Sequence, residues 1–166
     1  MISLKAEDLK DFTRRLFIGG TFDGWLVREA VIVTFNTFTV DGRIRSGYYS
    51  EEEKEAGQME ELSFWKALRP FCFSLIRGKR LPESFRITLQ AASEQLRGFL
   101  SDAGLGVDAE QVGGLYLHIR YENGELRCVS GLSLRIFTLD KQIEQEWDKA
   151  VKGYFRKNRI PFTEES

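Results

Sequence analysis

Ile2-Ser3-Leu4-Lys5-Ala6, leading to Leu9, Lys10 and Phe12, has a counterpart past the midpoint in Ile87-Thr88-Leu89-Gln90-Ala91, leading to Leu96, Arg97 and Phe99. Each copy reads as a short strand running into a helix, because alternation gives way to apolar residues three to four apart. Each is followed within roughly forty residues by a dipeptide suited to a tight two-residue turn, Asp41-Gly42 in one half and Asn123-Gly124 in the other. The pattern therefore predicts a strand–helix–hairpin unit used twice, over about 1–48 and 84–138. A helical insert over about 50–78 and a terminal helix over about 141–157 complete one domain of residues 1–166. The fold class expected is α+β, a mainly antiparallel sheet of about five to seven strands with helices packed on one face and an internally duplicated order of elements.

Outward from that phrase, the first helix is expected over Ala6 to Phe17, with Leu9, Phe12 and Leu16 on one side and Arg14 and Arg15 near its end, where cations suit the dipole. Phe22 to Val40 is rich in Val, Ile, Phe and Thr and reads as two strands. Ser50 to Glu61 is crowded with glutamate and reads as an exposed loop or a short solvated helix. Leu62, Trp65, Leu68, Cys72, Leu75 and Ile76 form a helical stripe with Ser63 as its cap, interrupted by Pro70, so the helix bends there or divides in two. Gly104, Gly106, Gly113 and Gly114 mark a mobile connection.

The clearest strand is Leu115 to Glu122, in which Leu115, Leu117, Ile119 and Tyr121 share one face while Tyr116, His118, Arg120 and Glu122 share the other. A turn at Asn123-Gly124 puts Ile119 opposite Cys128 and Arg120 opposite Arg127, in a partner strand running to about Phe137. Asp140 then caps the last helix, whose buried stripe is Ile143, Trp147, Val151, Tyr154 and Phe155, and Pro161 stops it.

Composition excludes several classes of function. A chain of 166 residues with 42% hydrophobic and 30% charged residues can bury one sizeable core and is not disordered. The formal net charge of -1 leaves no global field toward nucleic acid or an anionic membrane, so binding of that kind needs a local patch. No apolar run approaches the roughly 20 residues of a membrane span, and the charged start lacks a signal peptide's apolar core. Cys72 and Cys128 are too few for a disulfide framework, which fits a reduced, cytoplasmic protein.

Chemistry-bearing residues are sparse, and the sequence names no function. His118 is the one histidine, so any relay must use it, and its strand parity puts it on a polar face. Both cysteines fall on apolar stripes as small buried hydrophobes. No His or Cys pair has metal-ligand spacing and no glycine-rich run matches a phosphate loop, so neither a metal nor a cofactor is expected.

Two basic constellations remain. Arg77, Lys79 and Arg80 surround Gly78 between a helix and a strand, either gripping phosphates or completing a solvated helix end. Arg120 facing Arg127, with Arg135, His118 and Tyr116 on the same face, is a candidate anion or ligand surface, because like charges directly opposite repel unless Glu122 and Glu125 compensate or an anion binds.

Thr34 to Gly42, Leu68-Arg69-Pro70 with Ile76 to Lys79, and Phe137 to Asp140 ahead of Glu146-Trp147-Asp148 together resemble an uncharacterised family of small bacterial single-domain proteins, over nearly the whole chain. That resemblance implies a single domain and transfers no activity. The element order is also similar to one domain of the sliding clamps that encircle DNA. A clamp would turn basic helix faces to DNA, whereas Ala6 to Phe17 mixes Glu7, Asp8 and Asp11 with Lys10, Arg14 and Arg15.

The functional class expected is a non-catalytic binding or interaction module, with a protein partner, nucleic acid or a second copy as partner and no membrane. The alternatives are a clamp-like nucleic-acid-associated protein, a small enzyme using His118 with Glu122, Arg120 and Arg127, and a self-associating subunit.

Overall fold

The computed structural model describes residues 1–57 and 59–165. Strand β1 (Ser3–Ala6) leads into helix α1 (Leu9–Phe17), and β2 (Leu26–Val33) and β3 (Thr37–Asp41) follow as a hairpin. Helices α2 (Glu51–Gly57) and α3 (Trp65–Ile76) separate that hairpin from β4 (Ser84–Gln90). Helix α4 (Ser93–Asp102) and a single 3-10 turn precede β5 (Val112–Glu122) and β6 (Glu125–Leu134), and the chain closes with α5 (Gln142–Lys157) and β7 (Phe162–Glu165).

All seven strands join one sheet in the order β3-β2-β4-β5-β6-β1-β7, every neighbouring pair antiparallel. The fold is α+β, as the sequence predicts. The two strands that open the strand–helix–hairpin units take different places, β1 between β6 and β7, β4 between β2 and β5.

The β5–β6 hairpin has the predicted register, with Ile119 against Cys128 and Arg120 against Arg127. Its turn needs two left-handed residues, and Asn123 (φ 53°) and Gly124 (φ 76°) supply them. Asp41-Gly42 is not a turn between paired strands, which corrects the first hairpin. The β2–β3 reversal occurs at residues 34–36, where Thr34 N–H donates to the Asn36 carbonyl at 2.9 Å. Gly42 instead lies against β2, its N–H donating to Arg28 O at 3.0 Å.

Other local readings shift for identifiable reasons. Helix α1 starts only at Leu9, because Ser3–Ala6 is a strand and the Asp8 carboxylate caps the helix by accepting from Asp11 N–H. Helix α3 runs unbroken through Pro70, and its cap position is Phe64 rather than Ser63. Gly113 and Gly114 lie inside β5 rather than in the preceding loop, and β6 ends at Leu134. Helix α2 buries no residue, as its glutamates predict.

One face of the sheet is dry. Ile32, Phe85, Ile87, Leu89, Leu117 and Ile119 are almost wholly buried there. They meet Phe12, Leu16 and Phe17 of α1, Trp65 of α3 and Val151 and Phe155 of α5 in a single cluster. Phe17 of α1 meets Phe85 of β4 edge to face at 5.2 Å, and Trp65 donates its Nε1–H to Leu16 O at 2.7 Å. Arg69 of α3 holds Asp23 through two hydrogen bonds of 2.9 and 3.1 Å and reaches Ile18 O at 2.9 Å. That arginine is therefore a structural tie between α3 and the segment that follows α1. With the helices gathered on this face, the side chains of alternate parity are left on the other.

Candidate anion-binding sheet face

Strand pairing dictates what lies side by side on the open face. Val31, Arg86, Arg120, Arg127 and Lys5 stand in one row across β2, β4, β5, β6 and β1. Glu29, Thr88, His118, Val129 and Ser3 form the next row, and Val33, Ser84, Glu122 and Glu125 flank the cations on the other side. Four cations on four consecutive strands is an arrangement that cross-strand repulsion opposes unless something neutralises them.

Half of the row is neutralised within the fold. Arg127 contacts Glu165 at 2.6 Å and Glu125 at 2.7 Å, and Lys5 contacts Glu125 at 3.3 Å. The hydrogen bonds from Arg127 hold the Glu165 and Glu125 carboxyls below their ordinary range, and the Arg127 guanidinium is shifted upward in return. Compensation by Glu125 is thus real for Arg127. It does not extend to Arg120: among the described residues, neither Arg120 nor Arg86 contacts an acid, and both are exposed.

Two shallow hollows flank this free pair. One of about 350 Å³ is lined by His118, Arg120, Glu122, Glu125 and Arg127. A smaller one of about 130 Å³ is lined by Glu29, Val31, Arg86, Thr88, His118 and Arg120. His118 and Arg120 line both, so they form the ridge between them. The His118 Nδ1 lies 3.2 Å from the Thr88 hydroxyl, and its Nε2 edge rests over Gly131, where a Cβ would come within 3.0 Å of it.

Burial, and secondarily the Arg120 charge, pull the His118 pKa below its ordinary value of 6.5. The imidazole is therefore neutral at pH 7. Because protonation is harder in the folded chain than in the unfolded one, folding stability should be complete above about pH 6.5 and decline below it as the unfolded chain takes up the proton first. In a chloride buffer, His118→Asn should flatten the dependence of the denaturation midpoint on pH just below 6.5. Parallel profiles for the two proteins would contradict this.

The other expected site residues lie apart. The Tyr116 ring folds back over Gly114, where a Cβ would meet its hydroxyl at 2.5 Å, and it stacks beneath Arg28 at 5.5 Å. It lines neither hollow, although its ring is 5.9 Å from that of His118. Arg135 follows the end of β6 and donates to Glu110 O at 3.0 Å. Arg77, Lys79 and Arg80 sit exposed in the loop between α3 and β4 and line neither hollow.

Three members of the face escape the sequence: Lys5, Thr88 and, as a partner of Arg120, Arg86. Parity alone would have turned Arg86 and Thr88 outward, since Phe85, Ile87 and Leu89 point inward. No signal shows that β4 lies beside β5, because α4 and a loop intervene.

Chemically, the face presents the guanidiniums of Arg86 and Arg120 side by side, each a fork of donors that matches an anion's oxygens. A hydroxyl beside an imidazole is the start of a nucleophile–base pair, but such a pair needs a third group to orient the base. Among the described residues, no hydrogen-bond partner is found for His118 other than Thr88. Burial keeps both thiols protonated, pushing Cys72 up to about 11 and raising Cys128 as well. No group of three His, Cys, Asp or Glu side chains among the described residues is placed to hold a metal ion.

No described helix is long and apolar enough to cross a membrane. Residues 15–163 match the model of a family described as a family of unknown function, DUF5721. No curated protein and no solved structure matches the chain.

Proposed function

We propose, for this chain, which belongs to the family of unknown function DUF5721, a role as a non-catalytic binding module whose open sheet face receives a compact oxyanion carried by a protein partner. The observation that carries the reading is the free pair, Arg86 directly opposite Arg120, beside Arg127 and Lys5 that are already satisfied. Guanidinium forks match a carboxylate or a phosphate monoester through two parallel hydrogen bonds, and an anion between two of them relieves their mutual repulsion.

Neighbouring acids set the size of what fits. Glu29 borders Arg86 in one hollow, and Glu122 and Glu125 border Arg120 in the other. The positive field is confined to about one residue's width, so a nucleic-acid strand would bring phosphates against carboxylates. A free small molecule fares little better, since small ligands need concave walls that bury most of their surface. An acidic or phosphorylated side chain held in place by its own protein suits an open, gently hollowed face.

A chemical-shift titration at low salt tests this reading. Inorganic phosphate and a short Asp/Glu-rich peptide should each move the Arg86 and Arg120 side-chain resonances and the His118 ring, saturably, with weaker effect as salt rises. A single-stranded oligonucleotide should bind no more tightly than phosphate alone. Resonances that stay fixed under both anions at low salt would refute the proposal.

A further inference from the structure

The two edges of the sheet are treated differently. Strand β7 carries Glu164 and Glu165, engaged by Lys152 at 3.3 Å and Arg127 at 2.6 Å. Charge on a short edge strand is a standard protection against pairing with another chain. Strand β3, Thr37-Phe38-Thr39-Val40-Asp41, lies at the opposite edge with no lysine, no proline and no bulge against β2.

Which of its backbone groups are free follows from two hydrogen bonds. Gly42 N–H donates to Arg28 O at 3.0 Å and Thr34 N–H donates to Asn36 O at 2.9 Å, so hydrogen-bonded rungs fall at 28/42 and 34/36. Rungs in an antiparallel ladder alternate between hydrogen-bonded and not. Ala30/Val40 and Ile32/Phe38 are then the bonded pairs between them, and Thr37, Thr39 and Asp41 turn their N–H and C=O groups away from β2. These three residues are exposed, and no backbone partner is found for them among the described residues.

We propose that β3 pairs antiparallel with β3 of a second copy of this chain, about a twofold axis at Thr39, joining two sheets edge to edge. The strand is self-complementary in this register. Thr37 meets the second copy's Asp41, Thr39 meets Thr39, and all the outward groups find partners at once. Phe38 and Val40, both half-buried on the helix side of the sheet, come opposite one another across the axis. Phe35 is 85% exposed and packs edge-on against Phe38 at 5.5 Å, extending that apolar contact. The lone charge, Asp41, is held by Arg43 at 2.9 Å and sits at the end of the strand, so the two carboxylates lie far apart. An unrelated extended peptide would satisfy the same backbone groups but has no reason to repeat this alternation. The contact is isologous and closes on itself. It uses neither Arg86 nor Arg120, so anion titration and mass measurement stand or fall separately.

Solution mass across a dilution series tests the pairing. The native chain should run at twice its monomer mass when concentrated and at the monomer mass when dilute. Thr39→Lys sets two like charges directly opposite each other, and should give the monomer mass at every concentration with an unchanged circular dichroism spectrum. In a hydrogen-bonded rung the two Thr39 Cα atoms are about 5.5 Å apart, within disulfide range. Thr39→Cys should therefore yield a covalent dimer under mild oxidant, because Cys72 and Cys128 are buried and do not compete. A native chain that is monomeric throughout, or a dimer that Thr39→Lys leaves intact, would overturn the proposal.

Discussion

Gly42→Ala should leave the chain unable to reach its native sheet, or cost upward of about 4 kcal/mol if it does, a loss at the extreme of single substitutions. A Cβ at this position would stand 1.7 Å from the Val27 carbonyl oxygen and 2.6 Å from its carbon. Both are backbone atoms, so no side-chain rotation relieves the clash. Nor can the glycine retreat. Its N–H is tied to Arg28 O at 3.0 Å and its carbonyl accepts from Ser63 N–H at 2.8 Å, while the β2–β4 register shifts between Val27 and Glu29.

Strand β2 and the chain at Gly42 that follows β3 would have to separate to admit a single methyl group. Gly98→Ala is the control, in the exposed middle of α4 with nothing within 4 Å of the added carbon. There the helix gains a better former, and stability should rise by roughly 0.5–1 kcal/mol. Denaturation midpoints measured side by side decide the matter. A Gly42→Ala protein as stable as the native chain would mean that β2 does not pass this close.

The same glycine explains why the sequence was readable in one half and misleading in the other. Asn123-Gly124 and Asp41-Gly42 look alike as dipeptides, but the first glycine serves a left-handed turn with φ 76° and the second serves a close approach of two backbones. Composition does not separate those demands. Alternation did separate the faces of β5, and with a two-residue turn it set Arg120 against Arg127 correctly.

What local pattern cannot reach is pairing between strands that are not joined by a hairpin. Lys5 stands beside Arg127, and Arg86 beside Arg120, through contacts whose register depends on how the whole sheet closes. Half of the candidate site was therefore visible as a suspicious like-charge pair. The acid that neutralises Arg127 from the far edge, Glu165, lies beyond the last helix that the pattern predicts, and the cation left free with Arg120 lies on another strand.

Arg86→Gln and Arg120→Gln should each weaken the binding of phosphate or an acidic peptide by roughly tenfold to a hundredfold, since a hydrogen bond to a charged group contributes about 1.5–3 kcal/mol. Together they should abolish it. The same substitutions should leave folding untouched or strengthen it by roughly 0.2–1 kcal/mol, because each removes a cation directly opposed to another across the strands.

Arg127→Gln should behave in the reverse sense. Its guanidinium is already engaged by Glu125 and Glu165, so removing it leaves Glu165 without its ion-pair partner and Glu125 with Lys5 alone, lowers stability, and takes little from the anion. Opposite signs within one row of a sheet distinguish a cation kept for a ligand from one used by the fold. If Arg120→Gln destabilised the protein as Arg127→Gln does, Arg120 would be structural, and the open face would have no free charge with which to recognise anything.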